Sequence, residues 1–160
     1  MDALSEVLGH VRLKDTSWAC VLAGTPWGLE LEEMKGCVRF HYVTRGSCWL
    51  SVDDVQHPRI ALSGGDLAVL PHGHAHTVRD QPRSPVASLQ QALQRAASLS
   101  ASADHRVKVG SGGAETNLVY GAFFIDDPDD APILAMHGET VVAICRLNGA
   151  TLQPTRVLNT

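Results

Sequence analysis

The chain has eight histidines, and His72, His74 and His76 fall within a single five-residue stretch. Side chains alternate on an extended backbone, so His74 and His76 would share one face. His41 lies in the β-rich run Cys37-Val-Arg-Phe-His-Tyr-Val, on the expected face of Arg39 and Val43. Gathered imidazoles suit zinc, nickel, copper or iron better than magnesium or calcium. His41, His74 and His76 therefore form a candidate metal set, with zinc or nickel the expected divalent ion. The competing readings are a hydrogen-bonded interior histidine at His41 and a solvated loop at 72–76. Cys48 would join a zinc set as a thiolate, or pack as a small buried hydrophobe as a thiol. Arg39 and Arg45 have the fork geometry to hold a carboxylate, and Arg45 sits beside a turn where exposure is expected. Trp27 and Trp49 are either pocket walls or core.

Other chemistries find no support. Cys20, Cys37, Cys48 and Cys145 contain no CxxC pair, which argues against a zinc ribbon or redox motif and for buried thiols. Asp126, Asp127, Asp129 and Asp130 lack the spacing of a calcium loop and read as a solvated turn. There is no Ser-His-Asp arrangement, P-loop or dinucleotide fingerprint. A net charge of −4 is not that of a free-standing nucleic-acid binder. No apolar run reaches the roughly 18 to 20 residues that cross a bilayer. The opening Met1-Asp-Ala-Leu-Ser-Glu is acidic and leads into no apolar h-region, so a cytoplasmic protein is expected.

The elements that must position these residues are short strands. With 160 residues, 44% of them apolar, one domain with one core is expected. Strand-like runs fall at 18–23, 29–32, 37–43, 48–52, 59–62, 67–71, 74–78 and 117–125, punctuated by Gly, Pro and Asp, the grammar of an all-β sandwich or barrel. Helical spacing appears at 1–10 and 88–100, and a helix is expected to begin near 132. The small, polar stretch 101–113 reads as a loop. Residues 1–140 are expected to form the domain, and 141–160 a tail whose structure the pattern leaves open.

One stretch is more specific. Gly65-Asp-Leu-Ala-Val-Leu-Pro71-His72-Gly73-His74-Ala75-His76 fits G-x5-P-x-G-x2-H at every fixed position. Pro71 and Gly73 make a tight loop, after which His76 can face a barrel interior. This resembles the second motif of the cupin family. The first cupin motif, in its metal-binding form, has an HxH pair and a later Glu. The corresponding hairpin here, Arg39-Phe-His41-Tyr-Val-Thr-Arg45-Gly-Ser-Cys48-Trp49-Leu50, has one His and no Glu.

The hairpin and the motif, with Asp80-x-Pro82, Pro26-Trp27-Gly28 and Thr116-x-Leu-Val-Tyr-Gly, resemble the N-terminal cupin sensor domain of AraC-type transcription regulators. The resemblance covers about residues 1 to 136. It implies an all-β, double-stranded β-helix (jelly-roll) barrel with short flanking helices. It also implies a small-molecule effector, for which Arg39, His41, Trp49 and His76 are the candidate contacts. DNA would be bound only through helix-turn-helix units, which this chain lacks. A homodimer is expected, with the segments 88–100 and 132–137 as candidate contacts. The alternative is a stand-alone metal-dependent cupin enzyme, a dioxygenase or isomerase, against which the missing HxH and Glu count.

Overall fold

The computed structural model describes residues 13–52, 58–99, 105–125, 140–148 and 151–159. In chain order the elements are β1 (Leu13–Gly24), β2 (Gly28–Leu31), β3 (Cys37–Arg45), β4 (Ser47–Ser51), β5 (Ile60–Ser63), β6 (Leu67–Leu70) and β7 (His76–Arg79). They continue as β8 (Ala87–Ser88), α1 (Leu89–Leu99), β9 (Arg106–Gly110), β10 (Glu115–Ile125), β11 (Thr140–Asn148) and β12 (Thr151–Asn159). The strands form a seven-stranded sheet, β12-β11-β6-β3-β10-β1-β9, and a five-stranded sheet, β5-β4-β7-β2-β8. This is the all-β, two-sheet architecture expected from the sequence, with its helix inserted after β8.

The larger core draws on both sheets, with Val21, Leu29, Leu31, Val43, Leu50, Leu62, Leu70, Val78 and Leu118 among its residues, and therefore lies between them. A smaller cluster comes from the seven-stranded sheet alone, on its opposite face: Val38, Phe40, Leu67, Val69, Phe123, Ala143 and Cys145. Strand β3 supplies alternate residues to the two clusters, as a period of two requires.

The turns that link the sheets follow from residue type. Ser63 and Asp66 close a turn through Asp66 N–H to the Ser63 carbonyl at 2.9 Å. Asp66 Oδ2 accepts Ser63 N–H at 2.9 Å. Gly65 stands in that turn at φ +95°, a conformation that favours glycine. Helix α1 is capped by Ser88, whose Oγ accepts the Gln91 N–H at 3.3 Å. Leu89 is buried in the main core and Leu93 packs partly against it, so the helix is docked on one face.

Two regions differ from the sequence expectation. The stretch 101–113 contains a strand: β9 pairs in parallel with β1, Val107 against Val21. Its own alternation is short but real, with Val107 buried and Arg106 and Lys108 exposed. The stretch 141–160, left open by its pattern, provides β11 and β12. Val141 to Cys145 are all buried, and a short continuous apolar run carries no period to read. Strand β11 joins the barrel beside β6, Ala143 against Val69. The helices expected at 1–10 and near 132, and the Asp126–Asp130 turn, lie outside the described residues.

Candidate functional site

Strand β3 runs between β6 and β10, with His41 opposite Ala68 on one side and Tyr120 on the other. Ala68 is small and leaves room beside the imidazole. His76 is the first residue of β7, in the other sheet, and pairs with Leu31. The Pro71-His72-Gly73 loop carries the chain from β6 in one sheet to β7 in the other, so its spacing decides where His76 enters. Gly73 has φ +67°, and a Cβ there would lie 2.0 Å from the Met34 carbonyl oxygen. Met34 N–H in turn donates to the Gly73 carbonyl at 2.9 Å, which pins the loop to the turn before β3.

The result is a polar group between the sheets. His41 is 1% exposed, His76 3%, Tyr120 4% and Arg39 5%. The His41 and His76 Nε2 atoms lie 2.7 Å apart. His76 Nδ1 is 2.8 Å from the His74 carbonyl, so Nδ1 carries the proton that makes this bond. His76 Nε2 is then the acceptor and His41 Nε2–H the donor. The rings meet edge to face, at 75° and 5.0 Å between centroids. Tyr120 lies 5.4 Å from the His41 ring. Arg39 donates through Nη1 to the Glu32 carbonyl, and its charge acts on the Tyr120 hydroxyl.

Both imidazoles are neutral at pH 7. Burial holds His41 well below the ordinary 6.5, and the repulsion that a protonated His76 would exert and the Arg39 guanidinium act the same way. Burial also depresses His76, to about 4, although its bond to the His74 carbonyl pulls upward. Desolvation pushes the Cys48 thiol up to about 12 and raises Cys37, so both stay protonated and packed. The thiol reading of Cys48, a small hydrophobe in the main core, is the one that matches its surroundings.

His74 reaches this group through its backbone. Its ring lies 6.3 Å from the His72 ring and feels Glu33. Among the described residues no three His, Cys, Asp or Glu side chains are grouped to hold a metal. Two imidazoles on one tetrahedral zinc would place their nitrogens about 3.3 Å apart, given Zn–N bonds of about 2.05 Å. The His41–His76 contact is shorter than that and is a hydrogen bond. The expected His41, His74 and His76 side chains are therefore not gathered as a three-ligand set, and the His41–His76 pair does not have the spacing of a tetrahedral zinc.

Trp49 also falls elsewhere. Cys48 and Leu50 point into the core, so Trp49, between them on β4, faces outward beside Arg79 and Ala61. Arg45 is exposed, as expected from its turn, and Trp27 is core at 2% exposure. Tyr120 was not singled out from the sequence. Its signal was its place in the Leu118-Tyr120-Ala122 alternation, legible only once β10 is known to lie beside β3. A cavity of about 140 Å³ opens where β2, β4 and β7 end, lined by Leu31, Val52, Ala75 and His76 with the polar Glu30, Ser51 and Thr77. His76 thus links the buried group to an opening.

A family model described as Cupin matches residues 2–155. A Streptomyces lividans protein described as an AraC-like transcription regulator is 32% identical over 84 residues, covering 52% of this chain and 27% of that one. The crystal structure of ToxT from Vibrio cholerae, bound to an unsaturated fatty acid, covers 86% of this chain and 43% of its own, with 6% identity and a TM-score of 0.48. The chain thus spans about a quarter of the length of the Streptomyces relative and under half of ToxT. The match over nearly the whole chain agrees with the motif that carries His76 from one sheet to the other: the chain belongs to the cupin family.

Proposed function

We propose that this chain is the small-molecule-sensing cupin domain of an AraC-type transcription regulator. On this reading the barrel interior binds an organic effector and passes its state to helix-turn-helix units beyond the matched region, which contact DNA. The observation that carries it is the buried group of Arg39, His41, His76 and Tyr120. Polar groups cost stability inside an apolar core unless they are satisfied. A barrel with only a structural role would be filled more stably by Leu and Val. The AraC-like relative supports the regulatory part of the reading. A signal passes only if the effector binds two states of the domain with different affinity.

The domain on this reading works in the cytoplasm and pairs with a second copy, with α1 as the candidate contact. Among the described residues no helix is long and apolar enough to cross a membrane.

The test is a thermal-shift screen of the purified 160-residue chain against a diverse library of small metabolites, followed by calorimetry on each hit. The expected result is a hit whose affinity falls at least about tenfold in both His41→Leu and His76→Leu. Hits indifferent to both substitutions would overturn the interior site. A hit that is chemically converted would favour the enzyme instead. Elemental mass spectrometry belongs beside the screen: near-stoichiometric zinc or nickel, lost in a His41→Ala/His76→Ala variant, would overturn the hydrogen-bonded pair described above.

A further inference from the structure

Among the described residues Arg39 is a buried cation without a charge partner. Its side chain sits on the inner face of β3, and the residue is 5% exposed. Among the described residues the ion pair is Arg146 with Asp66, at the far side of the motif turn, and no carboxylate faces Arg39. The groups whose protonation its charge influences are His41, His76, Tyr120 and Cys37. All are neutral near pH 7, so among the described residues the group carries one positive charge with no carboxylate paired to it.

The hydrogen bonds tell the same story at atomic level. Nη1 is engaged by the Glu32 carbonyl. Nε is fully buried and has no partner. A guanidinium presents Nε–H and the neighbouring Nη2–H as a parallel pair along its side edge, spaced to meet the two oxygens of a carboxylate. A tether to the Glu32 carbonyl would need neither the full charge nor this edge.

We propose that the effector is a small organic carboxylate, held by the side edge of the Arg39 guanidinium with the His41–His76 pair beside it. The proposal rests on the sensing reading above and names the chemical class of its ligand. A single negative charge balances the single positive one. A phosphate dianion would bring a second charge with no second cation to meet it. A neutral amide would bring one acceptor and no charge.

The experiment uses the whole chain near neutral pH, with calorimetry on matched pairs of probes: acetate and acetamide, butanoate and butanamide, benzoate and benzamide, and inorganic phosphate alone. The proteins are wild type, Arg39→Met and Arg39→Lys. At least one carboxylate is expected to bind wild type, with its amide at least about a hundredfold weaker. Arg39→Met should lose at least about tenfold in carboxylate affinity, and Arg39→Lys, which keeps the charge and loses the fork, should fall between. If Arg39→Met fails to melt cooperatively, the amide pairs and Arg39→Lys decide.

Equal binding of acid and amide, undiminished carboxylate binding in Arg39→Met, phosphate as the sole binder, or no carboxylate binding at millimolar concentration would each overturn the carboxylate proposal. None of these results touches the sensing reading. That reading is decided by the broad screen: it falls if no hit is sensitive to His41 and His76, or if a hit is chemically converted.

Discussion

The two faces of β3 are built from neighbouring residues and do opposite work. One face presents Val38 and Phe40 to Leu67, Val69, Phe123, Ala143 and Cys145. The other presents Arg39 and His41 to His76 and Tyr120. All four β3 residues are buried to 5% exposure or less. An ordinary sandwich strand buries its apolar side and turns its polar side to water. Here the apolar face closes one side of the sheet, while the polar face is buried in the space between the sheets. That difference separates what holds the fold from what the fold holds. It also makes a prediction: the apolar face should be costly to cut and indifferent to pH, and the polar face the reverse.

The largest effect is expected on the apolar face. The Phe40 ring packs 6.3 Å from Phe123. It also lies over Gly121, where a Cβ would come 2.1 Å from the ring. Phe40→Ala should cost about 3–5 kcal/mol, because the ring fills a space its neighbours cannot close. Urea unfolding of wild type and variant, at pH 8 and again at pH 5, measures it. The comparison breaks if the loss is under about 1 kcal/mol or depends on pH.

On the polar face the cost comes from what is left behind. His41→Leu conserves bulk but removes the donor to His76 Nε2. An unsatisfied buried acceptor costs about 1–3 kcal/mol. Replacing both histidines by Leu should cost less than the two single changes added together, since the double variant leaves no orphaned Nε2. A double-mutant cycle in urea reads this directly, with a coupling of about 1 kcal/mol expected. Additivity would mean that the 2.7 Å contact contributes nothing to stability.

The same pair sets a pH signature. Both histidines have folded-state values below the ordinary 6.5, His76 at about 4. As pH falls, the unfolded chain takes up their protons first, which favours unfolding. Their contribution is therefore complete above about pH 6.5 and is lost progressively towards pH 4, at up to about 1.4 kcal/mol per pH unit for each histidine. Unfolding free energies measured from pH 7.5 to 4.5 should slope more steeply for wild type than for the His41→Leu/His76→Leu variant. Equal slopes would place the acid sensitivity elsewhere. Phe40→Ala should keep the wild-type slope, which is the sharpest contrast between the two faces.

Much of this contrast was legible in the chain. The run from Cys37 to Val43 alternates, so Arg39 and His41 had to share a face. The fixed spacing from Gly65 to His76 placed His76 after a tight loop. What alternation could not supply was distance between strands far apart in sequence. Tyr120 belongs to the site because β10 pairs with β3, a long-range register that no local pattern encodes. His74 and His76 share a face only on a regular extended strand. The chain becomes β7 at His76, so His74 still lies in the loop, and its carbonyl serves the site instead of its ring. Trp49 fell to the opposite error, an aromatic beside a candidate Cys whose alternation turns it outward. Val141 to Cys145 were opaque because a run buried on both faces shows no period.

The smallest effect is expected where charge meets water. Arg146 on β11 reaches Asp66 at the start of the motif strand, Nε to Oδ1, at 2.6 Å. The Arg146 side chain is 51% exposed and the Asp66 side chain 6%. Asp66 sits low in the carboxylate range even though burial pushes it upward, because the Ser63 amide and Arg146 favour its ionised form. Removing the guanidinium leaves Asp66 with the Ser63 N–H and access to water through the vacated space. Arg146→Ala should therefore cost no more than about 1 kcal/mol, and less as salt is raised, because a half-exposed pair is screened. Urea unfolding at low and high sodium chloride measures both quantities. A salt-independent loss above about 2 kcal/mol would mean that Arg146 works as an interior group. In that case the boundary between the barrel's buried polar face and its rim lies farther out than β3, β7 and β10 place it.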